Sequence, residues 1–222
     1  MTIPIPLGLV HSDLCGPLPT SLGKNKYFAV FVDDYSRYCW VYLLKQKDAA
    51  AIATIFTKWI SFAQKESGSQ VKALRTDGGG EYQKELSSIL SSRGIQHQTT
   101  TSYTPQSNGV AERMKRSLNE AVRAMMFQAN MPQTWWGEAI LHAVYLRNRL
   151  PHSGLNNVTP FQLWFNRSPD YSYLKPFGCI VYIHTPKERQ LRGSKYLPRA
   201  TKGCFIRHLS TNICRIWDFI QQ

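Results

Sequence analysis

The chain has 222 residues, 43 % of them hydrophobic, which allows a folded domain with a small second module and excludes a disordered polymer. No apolar run reaches the ~18 residues that a membrane span needs, and residues 1–10 lack the basic start of a signal peptide. A net charge of +13 favours polyanions, nucleic acid ahead of an anionic membrane, since no basic amphipathic anchor is evident.

Residues 7–14 form a first apolar run, stopped by Gly16-Pro17. Residues 27–33 and 38–44, rich in aromatic and β-branched side chains, flank the polar turn Asp33-Asp34-Tyr35-Ser36-Arg37 and predict a hairpin of buried strands. The period then changes. Ile52, Ile55, Phe56, Trp59, Ile60 and Ala63 mark one face of a helix over 48–66, with Asp48 near its N-cap. A strand at 71–76, a helix at 82–93 closed by Gly94 and a fifth strand at 95–98 follow. Polar residues 99–109 read as a loop. Beyond them lie a long helix with Ala111, Met114, Leu118, Ala121 and Met125 on one face and another at 133–149, ended by Pro151. The order β-β-β-α-β-α-β-α predicts an α/β layer fold with a mixed sheet flanked by helices.

The texture shifts after Pro151. Residues 1–150 form the core by this reading, 151–175 a helical or irregular connector, and 176–222 a small basic β-rich module with strands at 178–184, 203–208 and 214–219. Charge follows the division: 17 basic minus 11 acidic side chains give +6 over 1–150, and 10 minus 3 give +7 over 151–222. Lys187, Arg189, Arg192, Lys195, Arg199 and Lys202 make this tail a nonspecific hold for DNA or RNA. Five cysteines without a CxxC pair, and histidines at no zinc spacing, predict reduced buried thiols and no zinc site.

Three acidic residues stand out by position. Asp13 falls near the end of the first strand run, Asp77 just after the fourth and Glu112 at the opening of the long helix. If the first and fourth strands are neighbours, both aspartates project at one sheet edge and the loop returns Glu112 to them. With no basic partner close by in sequence, such carboxylates repel, and hard oxygen donors suit Mg²⁺ or Mn²⁺. Two such ions activate a nucleophile and stabilise a leaving oxygen at a phosphodiester, with Asp13 bridging both. Gly78-Gly79-Gly80 beside Asp77 leaves room for a phosphate backbone. Taken singly, each residue has a plainer reading: strand-end turn, Asp-Gly turn, helix N-terminal acid. Asp33 and Asp34 are read as turn formers, and Glu81 as a helix-start acid. On the long helix, Glu112, Arg116, Asn119 and Arg123 share a face flanked by Arg113 and Lys115, suited to DNA phosphates. Tyr103, Gln106 and Asn108 in the loop are placed to meet terminal bases.

The strings His11-Ser12-Asp13-Leu14-Cys15-Gly16-Pro17, Val32-Asp33-Asp34-Tyr35-Ser36-Arg37, Asp77-Gly78-Gly79-Gly80-Glu81-Tyr82 and Tyr103-Thr104-Pro105-Gln106-Ser107-Asn108-Gly109-Val110-Ala111-Glu112-Arg113 closely resemble integrases of copia-type LTR retrotransposons. Trp135-Trp136-Gly137-Glu138-Ala139, Thr159-Pro160 and Phe177-Gly178-Cys179 agree, so the resemblance covers nearly the whole chain. It implies a ribonuclease H-like five-stranded core, an Asp-Asp-Glu triad at Asp13, Asp77 and Glu112, and two Mg²⁺ or Mn²⁺ ions. The implied reactions are 3′-end processing of element cDNA and strand transfer into target DNA, in the nucleus and by a homo-multimer. Between Asp77 and Glu112 lie 34 residues, one fewer than is usual in that family, and only 12 precede Asp13, as in a segment of a longer Gag-Pol polyprotein. A catalytically inactive remnant that only binds nucleic acid, and a ribonuclease of the same fold, are the rival expectations.

Overall fold

The computed structural model describes residues 4–77, 79, 82, 84–99, 108–186 and 198–218. Its main sheet comprises β1 (Val10–Cys15), β2 (Tyr27–Asp33), β3 (Cys39–Leu44), β4 (Ala73–Thr76) and β5 (Gln96–Thr99), in the order β3-β2-β1-β4-β5. β1, β2 and β3 pair antiparallel, whereas β4 and β5 join β1 in parallel. The mixed five-stranded sheet expected from the sequence is therefore present, and the first and fourth strands are neighbours.

Both faces of this sheet are covered, which explains why β2 and β3 read as continuous apolar runs. Along β2, Ala29 and Phe31 enter one core with Trp40 and Leu44, while Phe28, Val30 and Val32 enter a second with Cys39 and Val41. The first core is roofed by α1 (Ala49–Ser67) and α2 (Lys84–Ser92). Asp48 caps α1 by accepting from the Ala51 N–H, and Gly68 ends it at φ 68°, where a side chain would be strained. Trp59 stacks on Phe31 with ring centroids 4.7 Å apart. The second core lies under α3 (Gly109–Gln128) and α4 (Trp136–Arg149). α4 starts as a single 3-10 turn at Gln133–Trp135, where the sequence reading had one continuous helix.

Beyond α5 (Pro160–Phe165), β6 (Ile180–His184), β7 (Ala200–His208) and β8 (Cys214–Asp218) form an antiparallel sheet in the order β6-β7-β8. Its first two strands differ from the expected limits: β6 starts two residues later and β7 three earlier. The sheet shares a core with residues 1–150: Phe177, Cys204 and Ile206 pack into the second cluster. Arg207 and Arg215 both pair with Glu138 on α4, at 2.6 and 2.9 Å. Of the five thiols, only Cys39 and Cys204 are buried; Cys15 and Cys179 are half-buried and Cys214 is exposed, so the expectation of buried thiols holds for the two in strand cores. Among the described residues no helix is long and apolar enough to cross a membrane.

Candidate active site

Alternation along β1 sorts its side chains between the two cores. Val10 and Leu14 belong to the α1 side, and Ser12 meets the Tyr82 hydroxyl there at 3.2 Å. His11, Asp13 and Cys15 are paired with Val32, Val30 and Phe28, residues of the opposite core, so they form a polar stripe facing α3. The β1–β4 register keeps an offset of 64 residues (Val10 with Leu74, His11 with Arg75). Continued to position 13, that offset reaches 77. Asp77 lies one residue past the end of β4, near enough for its charge to act on Asp13.

α3 lies along this stripe through one row of side chains. Asn108 donates Nδ2–H to the Ser12 carbonyl at 3.2 Å, Lys115 Nζ lies 2.5 Å from Asp13 Oδ2, and Asn119 Nδ2 reaches Cys15 Sγ at 3.6 Å. Glu112 sits in the same row, four residues after Asn108 and three before Lys115, and its charge supports Lys115. Glu112 therefore lies on the face of α3 whose Asn108, Lys115 and Asn119 touch β1.

The electrostatics are those of a crowded acid site. Burial pushes the Asp13 carboxyl above its ordinary range, the Lys115 ion pair pulls it back, and Asp77 adds a further upward push. Desolvation works against Lys115, but Asp13 outweighs it and holds the ammonium above its usual value. Asp77 is exposed and accepts from the Gly79 N–H at 3.1 Å, so the Asp-Gly turn geometry and the acid site coexist.

Among the described residues no three Asp, Glu, His or Cys side chains stand close enough together to hold a metal ion. The chemistry of the donors nevertheless fits a hard divalent cation: the Asp77 carboxylate acts on Asp13 from a separate strand, and the buried Asp13 already carries a cation, the Lys115 ammonium, as stand-in. Read in sequence, Asp13 has no basic partner close by; the fold supplies Lys115 from α3.

The other predicted residues divide. Arg113, Arg116 and Arg123 are exposed on α3. Lys115 turns inward to Asp13. Asn119 is half-buried on Cys15, and it also lines, with Arg123, Leu18, Met126 and the 88 % exposed Phe127, a groove of about 760 Å³ running along α3. Asn108, 2 % exposed, donates its amide to β1 and tethers the helix start. Tyr103 and Gln106, and Lys187, Arg189, Arg192 and Lys195 of the tail, lie outside the described residues. Asp33 and Asp34 are turn residues as expected, but buried ones. Asp33 accepts from Leu7 N–H, Ser36 N–H and Ser36 Oγ–H, and Asp34 pairs with His11 and Arg37. Tyr82, the fully buried strut on Ser12, went unnoticed in the sequence because its partner lies 70 residues away.

The integrase core domain model matches residues 4–105, a span that includes Asp13 and Asp77 and stops short of Glu112. The chain is 46 % identical over 188 residues to the retrovirus-related Pol polyprotein from transposon TNT 1-94 of Nicotiana tabacum, covering 84 % of this chain and 14 % of that protein. It is 37 % identical over 177 residues to the Pol polyprotein from transposon RE2 of Arabidopsis thaliana, covering 80 % and 12 %. It therefore spans about one seventh of the length of these relatives. Among solved structures, the fold is similar to a chain of the simian T-cell lymphotropic virus intasome in complex with PP2A regulatory subunit B56 gamma, with TM-score 0.62 and 17 % identity over 99 % of this chain and 78 % of that one. The HTLV-2 integrase catalytic core domain in complex with magnesium matches 72 % of this chain and 97 % of its own, with TM-score 0.55 and 20 % identity. At such identities these structures speak for the ribonuclease H-like fold alone.

Proposed function

The chain belongs to the integrase core family of retroelement Pol polyproteins, and from this premise we propose that it is the catalytic segment of a DNA integrase, with Asp13, Asp77 and Glu112 as its metal-binding carboxylates. The reading is supported by the adjacency of parallel strands β1 and β4, which brings Asp77, one residue past β4, near enough for its charge to act on Asp13, and by Glu112 in the row of α3 whose Asn108, Lys115 and Asn119 touch β1. The proposed reactions are hydrolysis near the 3′ ends of element cDNA, with water as nucleophile, and transfer of the resulting 3′-hydroxyls to target DNA.

Asp13, Asp77 and Glu112 would hold two Mg²⁺ or Mn²⁺ ions, which when bound supply nucleophile activation and charge neutralisation at the phosphodiester. The chain's own part is positional. Tyr82 holds the Ser12 side chain and Asn108 the Ser12 carbonyl, and together they fix where β1 carries Asp13. Lys115 holds the buried Asp13 carboxylate ionised until another cation takes its place. Its ammonium, 29 % exposed on a flexible stem, is then free to meet a DNA phosphate. Arg116 and Arg123 extend that cationic edge along α3. Two DNA ends acting together call for more than one copy of the chain.

Joining of a blunt DNA duplex to a plasmid in Mn²⁺ tests this reading. Asp77→Asn is expected to abolish joining while the melting temperature stays within a few degrees of wild type. Joining at the wild-type rate would overturn the assignment, and salt-sensitive DNA binding without joining in the wild-type chain would show the inactive remnant instead.

A further inference from the structure

On the neighbouring side of α3 opens a cleft of about 400 Å³ that the metal site does not use. Three guanidinium groups line it: Arg37 from the turn after β2, Arg113 near the start of α3, and Arg147 from the last turn of α4. His152, Ser117 and Ser153 complete its polar wall, and among its described lining residues there is no carboxylate. The four cationic or titratable groups come from chain positions 37, 113, 147 and 152, so nothing in the sequence brings them together.

The described hydrogen bonds leave donors unused on this wall. Arg37 gives Nη1–H to Asp34 Oδ1 at 2.7 Å, which occupies one of its five N–H groups. Arg147 Nε is buried without a hydrogen-bond partner. The Gly154 N–H donates to His152 Nδ1 at 3.0 Å, which leaves the neutral imidazole with its proton on Nε2, a donor. The cations also repel: after burial, the charges of Arg147 and Arg37 hold His152 below its ordinary value. Crowded cations with unfilled donors, in a concave site, are relieved by an oxyanion, and guanidinium forks match phosphate geometry.

We propose that this cleft binds a backbone phosphate of nucleic acid through Arg37, Arg113, Arg147 and His152 Nε2–H. The proposal rests on the nucleic-acid reading above and extends it to a second face of α3. Arg113 directly follows Glu112, about 100° further round the helix, so the two sites lie within roughly one helix diameter, ~10 Å, of each other. A strand with one phosphate at the carboxylates can therefore set another in the cleft, which would fix its direction across the first turn of α3.

Fluorescence anisotropy of a labelled blunt duplex, titrated with the full chain over a range of salt concentrations, provides the test. Arg147→Gln is expected to weaken binding about three- to tenfold near 0.1 M salt and to lower the slope of log affinity against log salt by about 0.9, one phosphate contact. Arg113→Gln, an exposed position, should do the same and carries the test if Arg147→Gln melts early. Lys58→Gln, which removes an equal charge from α1 across the sheet, should change the slope far less. Unchanged affinity and slope in both arginine variants, with the wild type binding normally, would overturn the inference and leave the nucleic-acid reading standing. A wild-type chain that binds no DNA at any salt concentration would remove both. If inorganic phosphate raises the melting temperature of the wild type but not of Arg147→Gln, while DNA binding ignores the substitution, the cleft serves a free anion and the proposal fails.

Discussion

Asp33 and Asp13 are both buried aspartates beside the central strand, and the chain answers them in different ways. Asp33, fully buried, accepts from Leu7 N–H at 2.8 Å, Ser36 N–H at 2.8 Å and Ser36 Oγ–H at 2.6 Å, all from fixed local groups. Asp13, at 3 % exposure, takes a backbone bond from Leu14, but its counter-charge is the single long side chain of Lys115, itself 29 % exposed. A carboxylate answered by backbone and short side chains is part of the frame. One answered by a removable ammonium, with a second aspartate pressing on it, is a place where cations can exchange. The contrast separates the proposed metal ligand Asp13 from Asp33 more sharply than burial, which is nearly the same for both.

Substitution to asparagine at each position should split the two roles. Asp33→Asn sets an amide donor among three donors and is expected to cost about 3 kcal/mol of folding stability, read from urea unfolding. Asp13→Asn is expected to change stability by about 1 kcal/mol or less, since Lys115 can turn to water, yet to lower DNA joining about a thousandfold or more, equivalent to roughly 4 kcal/mol in the barrier. Equal effects of the two on stability and on joining would break the comparison.

A third buried polar region sharpens it, because there the unanswered groups are bases. His142 on α4 and His208 on β7 lie with ring centroids 6.0 Å apart against Phe205, where the small sheet meets the core. Burial, then the His208 charge, lowers His142 to about 4, partly offset by the Lys175 backbone. The unfolded chain therefore binds a proton that the fold refuses between its ordinary value near 6.5 and about 4. Stability should be full above pH ~6.5 and fall as pH drops toward 4, by at most about 3 kcal/mol for this residue. His142→Phe should flatten that part of the profile; an unchanged slope would place the titration elsewhere.

Much of this was legible in the sequence, for identifiable reasons. The aromatic and β-branched runs at Tyr27–Asp33 and Cys39–Leu44 could only be strands buried on both faces. The apolar spacing through Trp59 fixed α1, and Asp13, Asp77 and Glu112 stood out by their places at element ends. What escaped notice depends on register and tertiary packing. That Lys115 faces Asp13 follows only once β1 is paired with β2 and α3 is laid along its polar stripe. The Asn108 tether and the Tyr82 strut each join residues 70 or more positions apart. The arginine cleft likewise draws on two helices and the turn after β2, which share no local pattern.

Crystals of the chain soaked in Mn²⁺ and measured for anomalous scattering test the central claim most directly. The account predicts a peak between the Asp13 and Asp77 carboxylates, with Glu112 turned toward it and Lys115 Nζ withdrawn from Asp13. Mn²⁺ found only at other sites, with the Lys115–Asp13 pair intact at saturating metal, would contradict it.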